Sequence, residues 1–131
     1  MRVIIADDSE ILRSRLVEML TEVKGIEIVA EARDTKEAIE TTRAHHPDVL
    51  IMDLRMPGED GIAAIEAIKK GKRNKPKIIV FTNYPYLQYR KRCLEAGADF
   101  FFYKALEFEK LVALIKELAR RNYKREFLKT L

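Results

Sequence analysis

Short, nearly pure runs of valine, isoleucine, leucine, methionine and phenylalanine recur along the chain. Between them lie stretches in which apolar residues return every three or four positions. A strand with no polar alternation needs cover on both faces, and the amphipathic stretches between such strands are the elements able to supply it. The expected strands are Arg2–Ala6, Ile26–Glu31, Val49–Met52, Ile78–Phe81 and Asp99–Tyr103. Five helices are expected between and after them. The first carries Ile11, Leu12, Leu16, Met19, Leu20 and Val23, with Ser9 as its cap and Gly25 as its stop. The second opens on Asp34 with Glu37 as a capping box and bears Ala38 and Ile39. The third is marked by Ile62, Ile65 and Ile68 and closed by Gly71. The fourth is marked by Leu87, Leu94 and Ala96 and closed by Gly97. The fifth is marked by Phe108, Leu111, Val112, Ile115, Leu118 and Ala119. Strict alternation of strand and helix implies an α/β fold, a parallel sheet doubly wound by right-handed crossovers with helices on both faces.

A chain of 131 residues is one domain of ordinary size. No apolar run approaches the ~20 residues of a membrane span, and the first acid arrives too early for a signal peptide. Cys93 is the single cysteine, so no disulfide framework exists, and a reducing cytoplasm is the expected location. Cys93 is read as a helix-packing residue. The net charge of +4 is unevenly placed. Lys69, Lys70, Lys72, Arg73, Lys75 and Lys77 form a run with no acid, and five bases face only Glu126 between Arg120 and Leu131. No nucleic-acid-binding signature accompanies them, so these runs are expected to be solvated surface, without direct contact to nucleic acid. His45 and His46 stand at the end of the second helix without the spaced ligands of a metal site, where a helix C-terminus favours them.

The polar residues that interrupt the pattern fall at strand ends. Asp7 and Asp8 close the first strand, Asp53 the third, Thr82 the fourth and Lys104 the fifth. Carboxyl ends of strands are where open α/β sheets bind ligands. If the first and third strands are neighbours, Asp7, Asp8 and Asp53 share one crevice. Three close carboxylates need a proton or a divalent cation to relieve their repulsion. Hard oxygen ligands of this kind suit Mg²⁺. A carboxylate nucleophile, that ion, an ammonium and a hydroxyl together suit phosphoryl transfer, because an aspartate can form an acyl phosphate.

With these residues in place, the sequence resembles the response-regulator receiver domains of two-component signalling, chemotaxis receivers among them. The resemblance rests on Val3-Ile-Ile-Ala-Asp-Asp8, Asp53-Leu-Arg-Met-Pro-Gly-Glu-Asp-Gly61, Val80-Phe-Thr82 and Gly97-Ala-Asp-Phe-Phe-Phe-Tyr-Lys104. It covers about residues 1–122, leaving 123–131 as a basic helical extension or the start of a linker. It implies a flavodoxin-like sheet in the order 2-1-3-4-5. It also implies that Asp53 is the phospho-acceptor and that Mg²⁺ (or Mn²⁺) is held by Asp8, by Asp53, by the backbone carbonyl of Arg55 and, through water, by Asp7. Thr82 and Lys104 would hold phosphoryl oxygens. Thr82 and Phe101 would relay the charge, Phe101 turning inward, to the face formed by helix four, strand five and helix five. The implied donor is the phosphohistidine of a sensor kinase or phosphotransfer protein, and the output is a protein partner or a homodimer through that face.

Some positions depart from the family pattern. Ala105 stands where proline is frequent, so a trans Lys104–Ala105 bond is expected. Asn83 is larger than the usual residue there. Arg55 and Tyr84, both large, occupy the positions that tune water access, which implies slow loss of the phosphoryl group. Tyr84, Pro85, Tyr86 and Tyr89 form an aromatic group suited to docking, and most of Phe100–Tyr103 is expected to be core. The competing readings are the receiver half of a longer DNA-binding regulator, an aspartyl-nucleophile phosphatase and a flavin carrier. The phosphatase would need an acid where Arg55 stands, and the flavin carrier a phosphate-cradling first loop instead of Asp7-Asp8.

Overall fold

A computed structural model describes residues 1–71, 75–84 and 87–131. Five strands, β1 (Arg2–Ala6), β2 (Glu27–Ala32), β3 (Val49–Met52), β4 (Lys77–Thr82) and β5 (Phe100–Tyr103), alternate with five helices. These are α1 (Glu10–Thr21), α2 (Thr35–His45), α3 (Gly61–Lys69), α4 (Leu87–Ala96) and α5 (Phe108–Lys129). The strands pair in parallel in the order β2-β1-β3-β4-β5. Neighbouring β1 and β3 run in register from Val3↔Val49 to Ala6↔Met52, so their last residues end side by side.

The period-two alternation of each strand sorts its side chains into two cores. Ile4, Ala6, Leu50, Met52, Ile78, Val80 and Phe101 face Ala38 of α2, Ile65 of α3 and Cys93 of α4. Val3, Ile5, Val49, Ile51, Ile79 and Phe81 face Leu16 and Leu20 of α1 and Leu111 and Ile115 of α5. Cys93 is fully buried, and burial pushes its thiol up to about 11, which keeps it a packing group at neutral pH.

Strand limits shift from the sequence expectation by one residue: β2 runs to Ala32, β4 takes in Lys77 and Thr82, and Asp99 lies outside β5. Asp99 instead uses its carboxylate to accept from the Ile78 N–H and the Lys69 ammonium, each at 2.8 Å. Helix faces differ more. Ile11, Leu87 and Leu94 are exposed, and the buried positions are Arg13, Leu16 and Leu20 on α1 and Cys93 on α4. Nor does Gly25 stop α1, which ends at Thr21 with Glu22 as C-cap. Ser9 and Asp34 do cap α1 and α2, by accepting from the Leu12 and Glu37 N–H groups. The Glu37 carboxylate reaches back past the N-cap Asp34 to the N–H of Arg33, one residue beyond the donor of a capping box. His46 is the left-handed C-cap of α2. Gly58 adopts φ +105°, and a side chain there would collide with the Thr35 hydroxyl, so this glycine lets the loop after β3 close onto α2. No cis peptide bond occurs among the described residues, in keeping with the trans Lys104–Ala105 bond expected.

Past Leu118 and Ala119 every α5 residue is exposed or half-buried, yet the helix continues to Lys129. No helix among the described residues is long and apolar enough to cross a membrane. The Thr42 hydroxyl is buried with no hydrogen-bond partner among the described residues. Replacing Thr42 with valine keeps the shape and removes the orphan group, so urea unfolding is expected to show a gain of about 1 kcal/mol.

Candidate functional site

The carboxyl ends of β1, β3 and β5 converge. Asp7 and Asp53 follow directly on the last residues of β1 and β3 and are 3% and 5% exposed. Lys104 follows β5, and its ammonium reaches Asp7 Oδ2 at 2.5 Å and Asp53 Oδ2 at 2.8 Å. Each carboxylate's other oxygen is held by local backbone: Asp7 Oδ1 accepts from the Ser9 N–H at 2.8 Å and Asp53 Oδ1 from the Arg55 N–H at 3.1 Å. Asp8 points outward and makes no ion pair among the described residues, yet one oxygen from each of Asp7, Asp8 and Asp53 lies within 4.8 Å of the others.

Burial opposes the charge on Lys104, but hydrogen bonds to Asp53 and Asp7 outweigh it and hold the ammonium above its usual range. Burial also pushes the Asp7 carboxyl up, against the Lys104 and Ser9 hydrogen bonds that favour its anion. A cation set between two buried acids therefore keeps its own proton while one of the acids is drawn toward its neutral form. The donor set fits a divalent cation. Its atoms are carboxylate oxygens, Asp8 is open to water, and the acids outnumber the fixed positive charge.

Thr82 is fully buried at the end of β4, and its hydroxyl accepts from the Tyr84 N–H at 3.3 Å; it does not cap α4, which starts at Leu87. The main chains of β4 and β5 are tied at this edge by Lys104 N–H to the Thr82 carbonyl, 2.9 Å. Phe101 is 4% exposed, edge-on to Tyr103 with ring centroids 5.2 Å apart, so in this structure it already occupies the inward position that the sequence reading reserved for the phosphorylated form. The Arg55 guanidinium stacks over the Tyr84 ring at 4.9 Å, and Tyr84 packs edge-on against Tyr89. The two residues that the sequence singles out for water access thus touch one another. Pro85 and Tyr86 of the aromatic group lie outside the described residues. Asn83 Oδ1 accepts from the Ala105 N–H at 3.1 Å and joins the loops after β4 and β5.

One contributor escaped the sequence reading. Arg13 is buried within α1, donates to the Asp7 carbonyl at 2.6 Å and pairs with Glu31 at 3.3 Å. Its spacing with Leu16 and Leu20 placed it on the buried face, and that was the available signal.

A doubly wound sheet with a clustered acid triad and a facing lysine at its switch point defines an α/β domain with its site at the carboxyl ends of the strands. The chain belongs to the response regulator receiver domain family, whose pattern it matches over residues 3–116. It is 41% identical over 123 residues to the transcriptional regulatory protein PdtaR of Mycobacterium tuberculosis, covering 94% of this chain and 58% of that protein. The chain thus spans little more than half the length of this relative. The response regulator domain of Thermotoga maritima CheB superimposes with a TM-score of 0.80 at 27% identity, covering 92% of this chain and 94% of the other. The CheX-CheY-BeF3-Mg complex of Borrelia burgdorferi gives 0.80 at 28% identity, covering 90% and 88%.

Replacing Lys104 with methionine strips two buried carboxylates of their shared counter-charge. In chelator at neutral pH this is expected to cost about 3 kcal/mol in urea unfolding, with part of the loss recovered by a second change, Asp7→Asn.

Proposed function

We propose that Asp53 accepts a phosphoryl group from a phosphohistidine on a sensor kinase or phosphotransfer protein. The support is the buried Asp7–Lys104–Asp53 bridge, which holds a carboxylate nucleophile beside a fixed cation. A carboxylate oxygen of Asp53 attacks phosphorus, the phosphorus–nitrogen bond of the donor breaks, and the electron pair stays on the imidazole. No general base is needed, because a carboxylate oxygen attacks without giving up a proton. Asp8, Asp53, the Arg55 carbonyl and, through water, Asp7 would hold Mg²⁺ or Mn²⁺. That ion would neutralise phosphoryl charge. Lys104 and the Thr82 hydroxyl supply the remaining donors to the phosphoryl oxygens.

The added charge, ~1.5–2 units, draws the Thr82 hydroxyl toward it as a donor, and turning the side chain moves its oxygen away from the Tyr84 N–H it now accepts from. Loss of that bond alters the start of the loop leading to α4. Because Phe101 is already inside, the switch acts through this loop and the packing of α4 on Phe101. The α4-β5-α5 face is the output surface for a protein partner or a second copy. Residues 1–122 form the receiver and 123–131 a helical extension. The length of the curated relative favours, as a second reading, a receiver that works within a longer regulator. A cytoplasmic site of action fits a phosphohistidine donor.

Incubation with acetyl phosphate and Mg²⁺ is expected to add one phosphoryl group by intact mass, and Asp53→Ala to add none. An adduct that persists in Asp53→Ala would place the acceptor elsewhere. We read the Arg55–Tyr84 stack as a screen against water, so the double variant Arg55→Ala with Tyr84→Ala is expected to lose its phosphoryl group about tenfold faster, a barrier change of ~1.4 kcal/mol, measured by the decay of the adduct after gel filtration.

A further inference from the structure

The two basic runs of the sequence are far apart in the chain but meet in space. Lys75 and Lys77, at the start of β4, and Arg121 and Arg125, on α5, line one groove of about 700 Å³. The groove lies along the amino-terminal edge of the sheet, where Met1, Asp48 and Val49 also border it, at the end of the strands opposite Asp53. A second cavity of about 300 Å³ adjoins it, sharing His46 and Lys75 and adding Arg43 and Lys70. Part of this charge has an internal explanation. Lys70 is the C-cap of α3, where a cation complements the helix dipole. Lys69 is neutralised by Asp99, and Arg121 pairs with Glu117.

Lys75, Lys77 and Arg125 have no such explanation. All three are exposed and form no ion pair among the described residues, and none stands in the last turn of a helix. The one acid bordering the groove, Asp48, gives its carboxylate to the Arg2 N–H at 2.7 Å. Lys72 and Arg73 lie outside the described residues and are not needed for the count.

We infer that this groove docks an acidic polypeptide segment. Charge complementarity selects an acidic occupant. The apolar lining residues Pro47, Val49 and Leu118 are buried, so the groove presents its basic groups and little apolar surface. Among the described lining residues there is no phenylalanine, tyrosine or tryptophan to stack a base, which disfavours a nucleic acid strand. The surface is separate from the phosphorylation chemistry and stands or falls without it.

The test uses the full chain and fluorescence anisotropy with two labelled probes of equal length, polyglutamate and oligothymidylate. Polyglutamate is expected to bind saturably and several-fold tighter than oligothymidylate. The variant Lys77→Glu with Arg125→Glu should weaken it by about tenfold or more, and raised salt should weaken it too. Arg125→Gln alone, if the double variant proves unstable, should lower affinity in the same direction. Equal affinity of wild type and variant would overturn the assignment. So would tighter binding of oligothymidylate. An unchanged urea midpoint in the variants separates loss of the surface from loss of the fold.

Discussion

The ammonium of Lys104 is the hinge of the structure's chemistry. Strand order puts the ends of β1 and β3 side by side, and this alone would aim two buried carboxylates at each other. The lysine makes that arrangement tolerable by bonding to both, and it can do so only because β5 ends at the same edge of the sheet. One cation is shared between two buried acids with exposed Asp8 beside them, so carboxyl groups outnumber the fixed positive charge. Burial draws Asp7 toward its neutral form while Lys104 keeps its proton. A bound divalent cation would relieve the same crowding of carboxylates.

Most of the architecture was legible in the sequence because two periods are cleanly separated. Runs such as Val3-Ile-Ile-Ala and Val49-Leu-Ile-Met have no polar residue to place on an outer face, so they specify strands covered on both sides. Asp7, Asp8, Asp53, Thr82 and Lys104 were legible for the same reason: each is the first polar residue where an apolar run stops, or follows close behind it. Helix faces were harder. Leucine and isoleucine at helical spacing suggested that Ile11, Leu87 and Leu94 were inside, whereas small Cys93 is what packs beneath α4. A short helix over a sheet buries only a narrow stripe, and spacing alone leaves its rotation undetermined. The conformation of Phe101 was equally beyond reach, because the pattern marks a position and not a rotamer. Arg13 was missed because charge was taken as a mark of the surface, although its head finds two oxygen acceptors inside.

The sheet separates two kinds of surface. Acids gather at the carboxyl ends of the strands, while bases gather at the amino ends and along α5. A modest net charge thus conceals an uneven distribution of charge. Under the docking proposal, an acidic partner would be drawn to the edge away from Asp53.

Arg13 gives the acid loop a tie that neither metal nor phosphate supplies. Its guanidinium joins the peptide oxygen between Asp7 and Asp8 to Glu31, which sits on β2, the outermost strand on that side. The open rim of the sheet and the innermost carboxylates are therefore linked through this planar group as well as through the backbone bond from the Asp7 N–H to the Ala32 carbonyl, 2.9 Å. A force that peels or shifts β2 is felt at the peptide whose orientation sends one aspartate inward and its neighbour out.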